Sequence, residues 1–174
     1  MADLFTHILV GYSLGIVLSW RYEHLSYPFI TAVMIGSTLP DLSRIDLVLS
    51  EDTMAALLGI PFTWIPLHRV GGTLLIVSIG ALLVPTVYRR VVFTCLAAGA
   101  SSHYALDFLL YKPSGVTSPL LWPFITGGIA IDGLYLSSDR WPVVAAAALA
   151  SLICIIDRRW MRTNHSGSSD SSHG

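Results

Sequence analysis

Long apolar runs separated by short polar punctuation organise this chain. Residues 4–20 are apolar apart from a few interruptions at Thr6, His7, Tyr12 and Ser13, and a run of that length predicts a first membrane-spanning helix. A polar connection, 21–26, leads to a second run, 27–39. This run is too short to cross a bilayer upright, and it stops at Pro40 and Asp41, where proline can no longer extend the hydrogen-bond ladder. Residues 43–53 carry Arg44, Asp46, Glu51 and Asp52 and predict an exposed loop or short amphipathic helix. Gly59, Pro61 and Pro66 interrupt 54–67, which reads as an interfacial or re-entrant piece. After Leu67, His68 and Arg69 comes a clean apolar run, 70–88, with Pro85 near its far end; it predicts a full span. Arg89 and Arg90 close it, and 91–111 predicts the next span. Residues 112–118 predict a loop. The glycine- and proline-rich 119–135 is expected at the membrane interface with Trp122 at headgroup level. The last predicted span, 141–156, ends at Asp157, Arg158, Arg159 and Arg162.

Composition turns these runs into a class. Hydrophobic residues make up 53% of the 174-residue chain and charged residues 12%, whereas a soluble domain carries about 25% charged residues. The fold expected is an all-α integral membrane protein with about five transmembrane helices and short interfacial or re-entrant segments. Residues 1–162 form one helical membrane domain, and 163–174 form a polar tail with too little apolar surface to order. His165 and His173 belong to that tail and are not expected to bind anything. Met1, Ala2 and Asp3 lack the positive start of a cleavable signal, so the N-terminal span is expected to be retained. The formal net charge is −1 and no basic stripe is present, which argues against a nucleic-acid partner. Cys95 and Cys154 stand singly inside apolar runs and read as small buried hydrophobes.

The polar residues left inside the apolar runs carry the chemistry. His103 and Asp107 are four residues apart, which puts imidazole and carboxylate on one helix face, and Gly99 continues that stripe. His7, Gly11 and Gly15 repeat the spacing in the first span, where the glycine pair permits close helix approach. An ionisable side chain at a bilayer centre costs roughly 2.5–3.5 kcal/mol on insertion scales, so such groups turn inward. If the predicted spans alternate in direction, His7, Asp41, His68, His103 and Asp107 all fall on one side. Arg21, Arg89, Arg90, Arg158, Arg159 and Arg162 then fall on the other, which the positive-inside rule makes cytoplasmic. The expected topology is a multi-pass cell-membrane protein with its N-terminus outside and its C-terminus cytoplasmic.

Imidazole and carboxylate donors in this combination suit Zn²⁺, and Mn²⁺ or Fe²⁺ less specifically. An ion so held brings the pKa of a bound water to about 7 and polarises phosphoryl or carbonyl oxygens, which points to hydrolysis. Asp41 and Asp107 are candidate catalytic groups as well as ligands. A structural hydrogen-bonded network is the alternative use of the same residues. No G-x-S-x-G elbow and no phosphate-cradling loop with a lysine occurs.

Asp3, Thr6 and His7, then Leu39, Pro40 and Asp41, His68 and Arg69, Ser102, His103 and Asp107, and Leu121, Trp122 and Pro123 together resemble a family of small membrane-bound, metal-dependent hydrolases typified by a LexA-regulated bacterial inner-membrane protein. The resemblance implies a helical membrane hydrolase acting on an amphiphilic substrate, by analogy with zinc phospholipases a phospholipid-like phosphodiester reached from membrane lipid. It also makes Arg69 a catalytic candidate that would hold a phosphate or orient Asp41, an interfacial snorkelling arginine being the alternative. Two departures stand out. Ser43 occupies the place of a second aspartate, leaving Asp46 as its nearest substitute, and Gly72, Thr73 and Leu74 follow His68 and Arg69 where relatives carry a further histidine. The alternative function is a non-catalytic scaffold, or a metal- or lipid-binding protein, with a degenerate form of the same motif.

Overall fold

The computed structural model describes residues 3–22, 24–111, 121–127 and 133–169, with side chains as far as Trp160. Among these residues the regular structure is entirely helical, in six α-helices: α1 (Leu4–Arg21), α2 (Tyr27–Gly36), α3 (Glu51–Leu58), α4 (Val70–Leu82), α5 (Arg89–Phe108) and α6 (Trp141–Ser169). Two 3₁₀ segments, Leu39–Leu47 and Ile65–His68, flank α3.

Only α1 and the Trp141–Trp160 part of α6 combine the length and apolarity needed to cross a membrane, and α2 and α4 are shorter apolar helices. The run 70–88 is therefore not the continuous spanning helix its hydropathy predicts. Helix α4 stops at Leu82, after 13 residues or about 20 Å of rise, because Pro85 shapes the turn that follows and Tyr88 N bonds back to Pro85 O at 2.9 Å. Of the two forms expected for the charged stretch, a loop or a short amphipathic helix, the structure has the helical one, which begins at Glu51 and runs on to Leu58. Ser50 caps α3 by accepting Thr53 N, and Gly59 ends it at φ 67°, a left-handed conformation that favours glycine. Helical backbone in α6 continues to Ser169, past Thr163, where composition predicts the polar tail to begin. The predicted loop 112–118, part of 119–135 and the last residues of the tail lie outside the described residues.

Helix α2 is the centre of the packing, set against α5 on one side and α1 on the other, while α6 lies on α1. Small residues make these crossings possible. A Cβ at Gly36 would strike the Leu96 backbone, and one at Gly99 would strike the backbone of Val33 and Ser37, so α2 and α5 meet with backbone against backbone. Gly15 similarly faces Ile30, in agreement with the close-approach pattern read in the first span. Ile16, Ile30 and Ile153 form the buried cluster among α1, α2 and α6, with Tyr12 and Trp20 against it. Trp20 Nε1 donates to Asp157 Oδ1 at 2.8 Å, bringing the C-terminal end of α1 beside that part of α6.

Large apolar side chains such as Leu75, Leu82, Leu83, Val144 and Leu152 remain more than half exposed on the outside of this bundle. That is the arrangement expected when the surrounding solvent is lipid, and in water it would form an aggregating surface. The described parts of 119–135 lie at the end of the bundle where α4 starts and α5 finishes. Gly71 N bonds Trp122 O at 3.0 Å, Tyr111 N bonds Tyr135 O at 2.7 Å, and Tyr135 Oη donates to Leu106 O at 2.8 Å.

Candidate metal centre

The residues that meet at this end come from four separate places in the chain. His7 lies in the second turn of α1, Asp41 in the 3₁₀ segment after α2, His68 just before α4, and His103 with Asp107 on one face of α5. Asp107 is the hub. Its Oδ2 lies 3.0 Å from His68 Nε2 and 3.6 Å from His103 Nε2, and its Oδ1 lies 4.0 Å from His7 Nε2. Donor atoms of His7, His103 and Asp107 fall within 4.8 Å of one another, and so do those of Asp41, His68 and His103. The two groups share His103, so all five candidate ligands read from the sequence converge.

The protons on two of these rings follow from their partners. His103 Nδ1 lies 2.9 Å from Ser37 O and His68 Nδ1 lies 3.0 Å from Pro40 O. A carbonyl only accepts, so in each ring Nδ1 carries hydrogen, and in the neutral ring Nε2 carries the lone pair. Both lone pairs then point at the Asp107 carboxylate, which is repulsive unless a proton or a cation lies among them. At His68, in the connection before α4, burial disfavours the charged ring, but the bond to Asp107 and the Pro40 carbonyl outweigh it and hold its pKa above the ordinary 6.5.

Other atoms of the cluster lack a hydrogen-bond partner. Both nitrogens of His7, both oxygens of Asp41, His103 Nε2 and Asp107 Oδ1 are buried without a hydrogen bond, as is Thr6 Oγ1. Native structures rarely leave buried polar atoms in this state, and a cluster of them marks an ion or water position. The donor chemistry fits a divalent cation. Ligand bonds of about 2.0–2.1 Å in a tetrahedron put neighbouring donor atoms about 3.3 Å apart, close to the Asp107 to His68 and His103 separations. Carbonyl acceptors at the far nitrogen of two histidines are also the usual support of metal-binding imidazoles. His7 and His103 stack with ring centroids 3.8 Å apart and planes 16° from parallel, which holds both rings at one depth.

The guanidinium beside Asp41 is that of Arg44, with Nε 3.3 Å from Oδ1. Arg69, read from the sequence as a catalytic candidate, instead places its guanidinium over the Trp122 ring at 5.6 Å. Asp46 accepts Glu51 N at 3.2 Å and braces the start of α3; it is not in either ligand group. Thr73 Oγ1 donates to Leu67 O at 3.0 Å and lies 2.6 Å from Tyr104 Oη, which fixes the turn that presents His68. Arg44 and Thr73 are the positioning residues the sequence reading missed. The former was signalled by its place three residues after Asp41.

Fold and site together define a helical membrane protein with a buried histidine and carboxylate centre near one end of its bundle. The profile of the YdjM inner membrane protein family matches residues 1–168. The chain belongs to that family and is a cell-membrane protein. Neither the curated proteins nor the solved structures give a significant match.

Proposed function

We propose that this chain is a membrane-embedded, metal-dependent hydrolase acting on an amphiphilic, phospholipid-like substrate. The observation that carries this reading is the buried Asp107 carboxylate ringed by the Nε2 atoms of His7, His68 and His103 at 4.0, 3.0 and 3.6 Å. His7, His103 and Asp107, with Asp41 and His68 beside them, would hold the ion, most suitably Zn²⁺ from the nitrogen and oxygen donor set. When bound, such an ion supplies Lewis acidity toward a phosphoryl or carbonyl oxygen and activates water near neutral pH. Asp41 is the candidate general base in this reading, a buried carboxylate of the cluster whose orientation the Arg44 guanidinium holds from 3.3 Å. Asp107 orients the imidazoles, and the Ser37 and Pro40 carbonyls fix the protons on His103 and His68.

The proposed topology has five crossings, through α1, α2, α4, α5 and α6. Neighbouring segments around the short helices complete the distance, and the N-terminus and the site face the extracytoplasmic side. Arg21, Arg89 and Arg90 stand at the opposite helix ends, and Arg158 and Arg159 follow Asp157 in the part of α6 that bonds to the end of α1, as a cytoplasmic face requires. Ser43 and Asp46 favour a second reading, a non-catalytic metal-binding protein, since the second family aspartate is absent and its nearest substitute is engaged with Glu51 N.

Metal content of the detergent-purified protein tests the first step. About one or more divalent ions per chain, lost in both His68→Ala and His103→Ala, is the expected result. A metal-free wild-type protein of unchanged stability would refute the metal centre. Phospholipid turnover by the loaded protein, abolished in Asp41→Asn, then separates enzyme from metal-binding scaffold.

A further inference from the structure

At the opposite end of the bundle from the metal centre, the end of α4 and the start of α5 enclose a groove of about 470 Å³ lined by Ser78, Ala81, Leu82, Arg89, Arg90, Phe93 and Thr94. Its floor offers nothing to a polar molecule. Ser78 Oγ donates to Leu74 O at 2.7 Å and Thr94 Oγ1 to Val91 O at 2.9 Å, so both hydroxyls are turned back onto their own helices. Its rim is cationic. Arg89 donates through Nε to Val84 O at 3.2 Å, leaving its two terminal nitrogens directed elsewhere. Arg90 is exposed and makes no hydrogen bond or ion pair with a described residue.

No acidic residue occurs between Asp52 and Asp107, so the one carboxylate on this hairpin is Asp107, at the far end of α5, and none lies beside the arginines along either helix. Both guanidiniums also sit in the first turn of α5, the end of a helix where positive charge is disfavoured and an anion is favoured. A larger apolar cavity of about 610 Å³ lies on the α2 side of the hairpin, near Phe29, Gly80 and Leu96. It has no charged residue in its lining, so of these two cavities on the hairpin it is the arginine-rimmed groove that combines apolar length with a fixed positive charge.

We propose that this groove seats an acyl chain of an anionic glycerophospholipid, with the lipid phosphate on Arg89 and Arg90. The apolar floor selects a lipid over a free phosphate, and the two guanidiniums select an anionic headgroup over a zwitterionic one. The site is independent of the metal centre and of any hydrolytic activity.

The test uses the full chain in nanodiscs containing equal phosphatidylglycerol and phosphatidylcholine with matched acyl chains. Lipids retained after detergent extraction are counted by native mass spectrometry. One arginine near an anionic headgroup is worth about fivefold in partition, so the wild type is expected to retain phosphatidylglycerol by about fivefold to twenty-fivefold over phosphatidylcholine. Arg90→Gln, which leaves the Arg89 bond to Val84 intact, is expected to lose about fivefold of that preference, and R89Q/R90Q nearly all of it. Thr94→Trp keeps both arginines, fills the groove and is expected to release the lipid. Equal retention of the two lipids by the wild type would overturn the proposal. So would an unchanged preference in R90Q and R89Q/R90Q, wild-type retention in T94W, or displacement of the lipid by glycerol phosphate alone.

Discussion

The tightest coupling between packing and chemistry lies at Gly99, and Gly99→Ala probes it with a single methyl group. The added Cβ would lie 2.6 Å from Ser37 N and 2.9 Å from Gly36 C, and closer still to Val33 O. All three are backbone atoms that no side-chain rotation can move. Restoring ordinary contact requires α2 and α5 to separate locally by about an ångström, an overpacking that typically costs about 1–3 kcal/mol. The same displacement stretches the 2.9 Å bond from His103 Nδ1 to Ser37 O past hydrogen-bonding range. That leaves a buried donor and acceptor unpaired for about a further 1–3 kcal/mol. At about 2–4 °C per kcal/mol for a chain of this size, the midpoint of thermal unfolding in detergent should fall by about 5–20 °C. Loss of the carbonyl that orients His103 should also weaken metal binding by about tenfold to a hundredfold, read by competition with a chelator. Gly80→Ala is the control, because its Cβ would meet only the movable Leu96 Cδ1, at 3.2 Å. A Gly99→Ala protein that melts like Gly80→Ala and keeps wild-type metal affinity would refute both the crossing geometry and the role of the Ser37 carbonyl.

Thr73→Val preserves shape but removes the hydroxyl bonded to Leu67 O and Tyr104 Oη; a loss of about 1–3 kcal/mol and weaker metal retention are expected, and unchanged chelator competition would show that His68 is held by other means. Trp20→Phe removes the 2.8 Å bond to Asp157 and should lower stability by about 1–2 kcal/mol, measured as a melting shift of a few degrees, with none expected if α6 docks through apolar contact alone. Glu51 accepts Thr63 Oγ1 and Trp64 N, which hold its carboxyl below the ordinary 4.5. Because the folded value is the depressed one, this brace is fully present above about pH 4.5 and is lost as pH falls through the lower folded value. Hydrogen-exchange protection at Trp64 should be level from neutral pH to about 5 and fall below that, and Glu51→Gln should flatten the profile.

How much of this was legible in the sequence divides by the range of the signal. The fourfold spacings of His7, Gly11 and Gly15 and of Gly99, His103 and Asp107 are local properties of a helix, and they put the packed faces and the candidate ligands on the sides of α1 and α5 where the structure has them buried. The convergence of His7, Asp41, His68 and His103 followed from alternating direction, which needs only the order of the runs. Hydropathy misjudged α4, because apolarity continues to Tyr88 while the backbone turns before Pro85. It also left α3 without bounds, since the charged stretch reads either as a loop or as a short amphipathic helix, and the start and stop are set by Ser50 and Gly59 and not by any apolar period. Arg69 and Arg44 are each near the site in sequence, and residue type alone did not separate them. Arg44 is on the same short 3₁₀ turn as Asp41, whereas Arg69 begins the next helix and is drawn to the Trp122 ring.

The break after α2 explains why a helix too short to span belongs at the candidate metal centre. In a continuing α-helix the Ser37 carbonyl would accept the amide of residue 41. Pro40 lies within a tighter 3₁₀ turn, in which Asp41 N bonds Thr38 O at 3.0 Å, and Ser37 O is left for His103. Three residues further on, the Pro40 carbonyl accepts from His68 Nδ1 at 3.0 Å, with Ser43 Oγ also donating to it at 3.4 Å. The turn also points Asp41 inward, buried to 6% exposure, with Arg44 one 3₁₀ turn away. A helix that ran through position 40 would reach further across the membrane, but it would withdraw both carbonyls and rotate the carboxylate out of the cluster. The break that shortens α2 thus supplies support for two imidazoles and one candidate ligand at a single point.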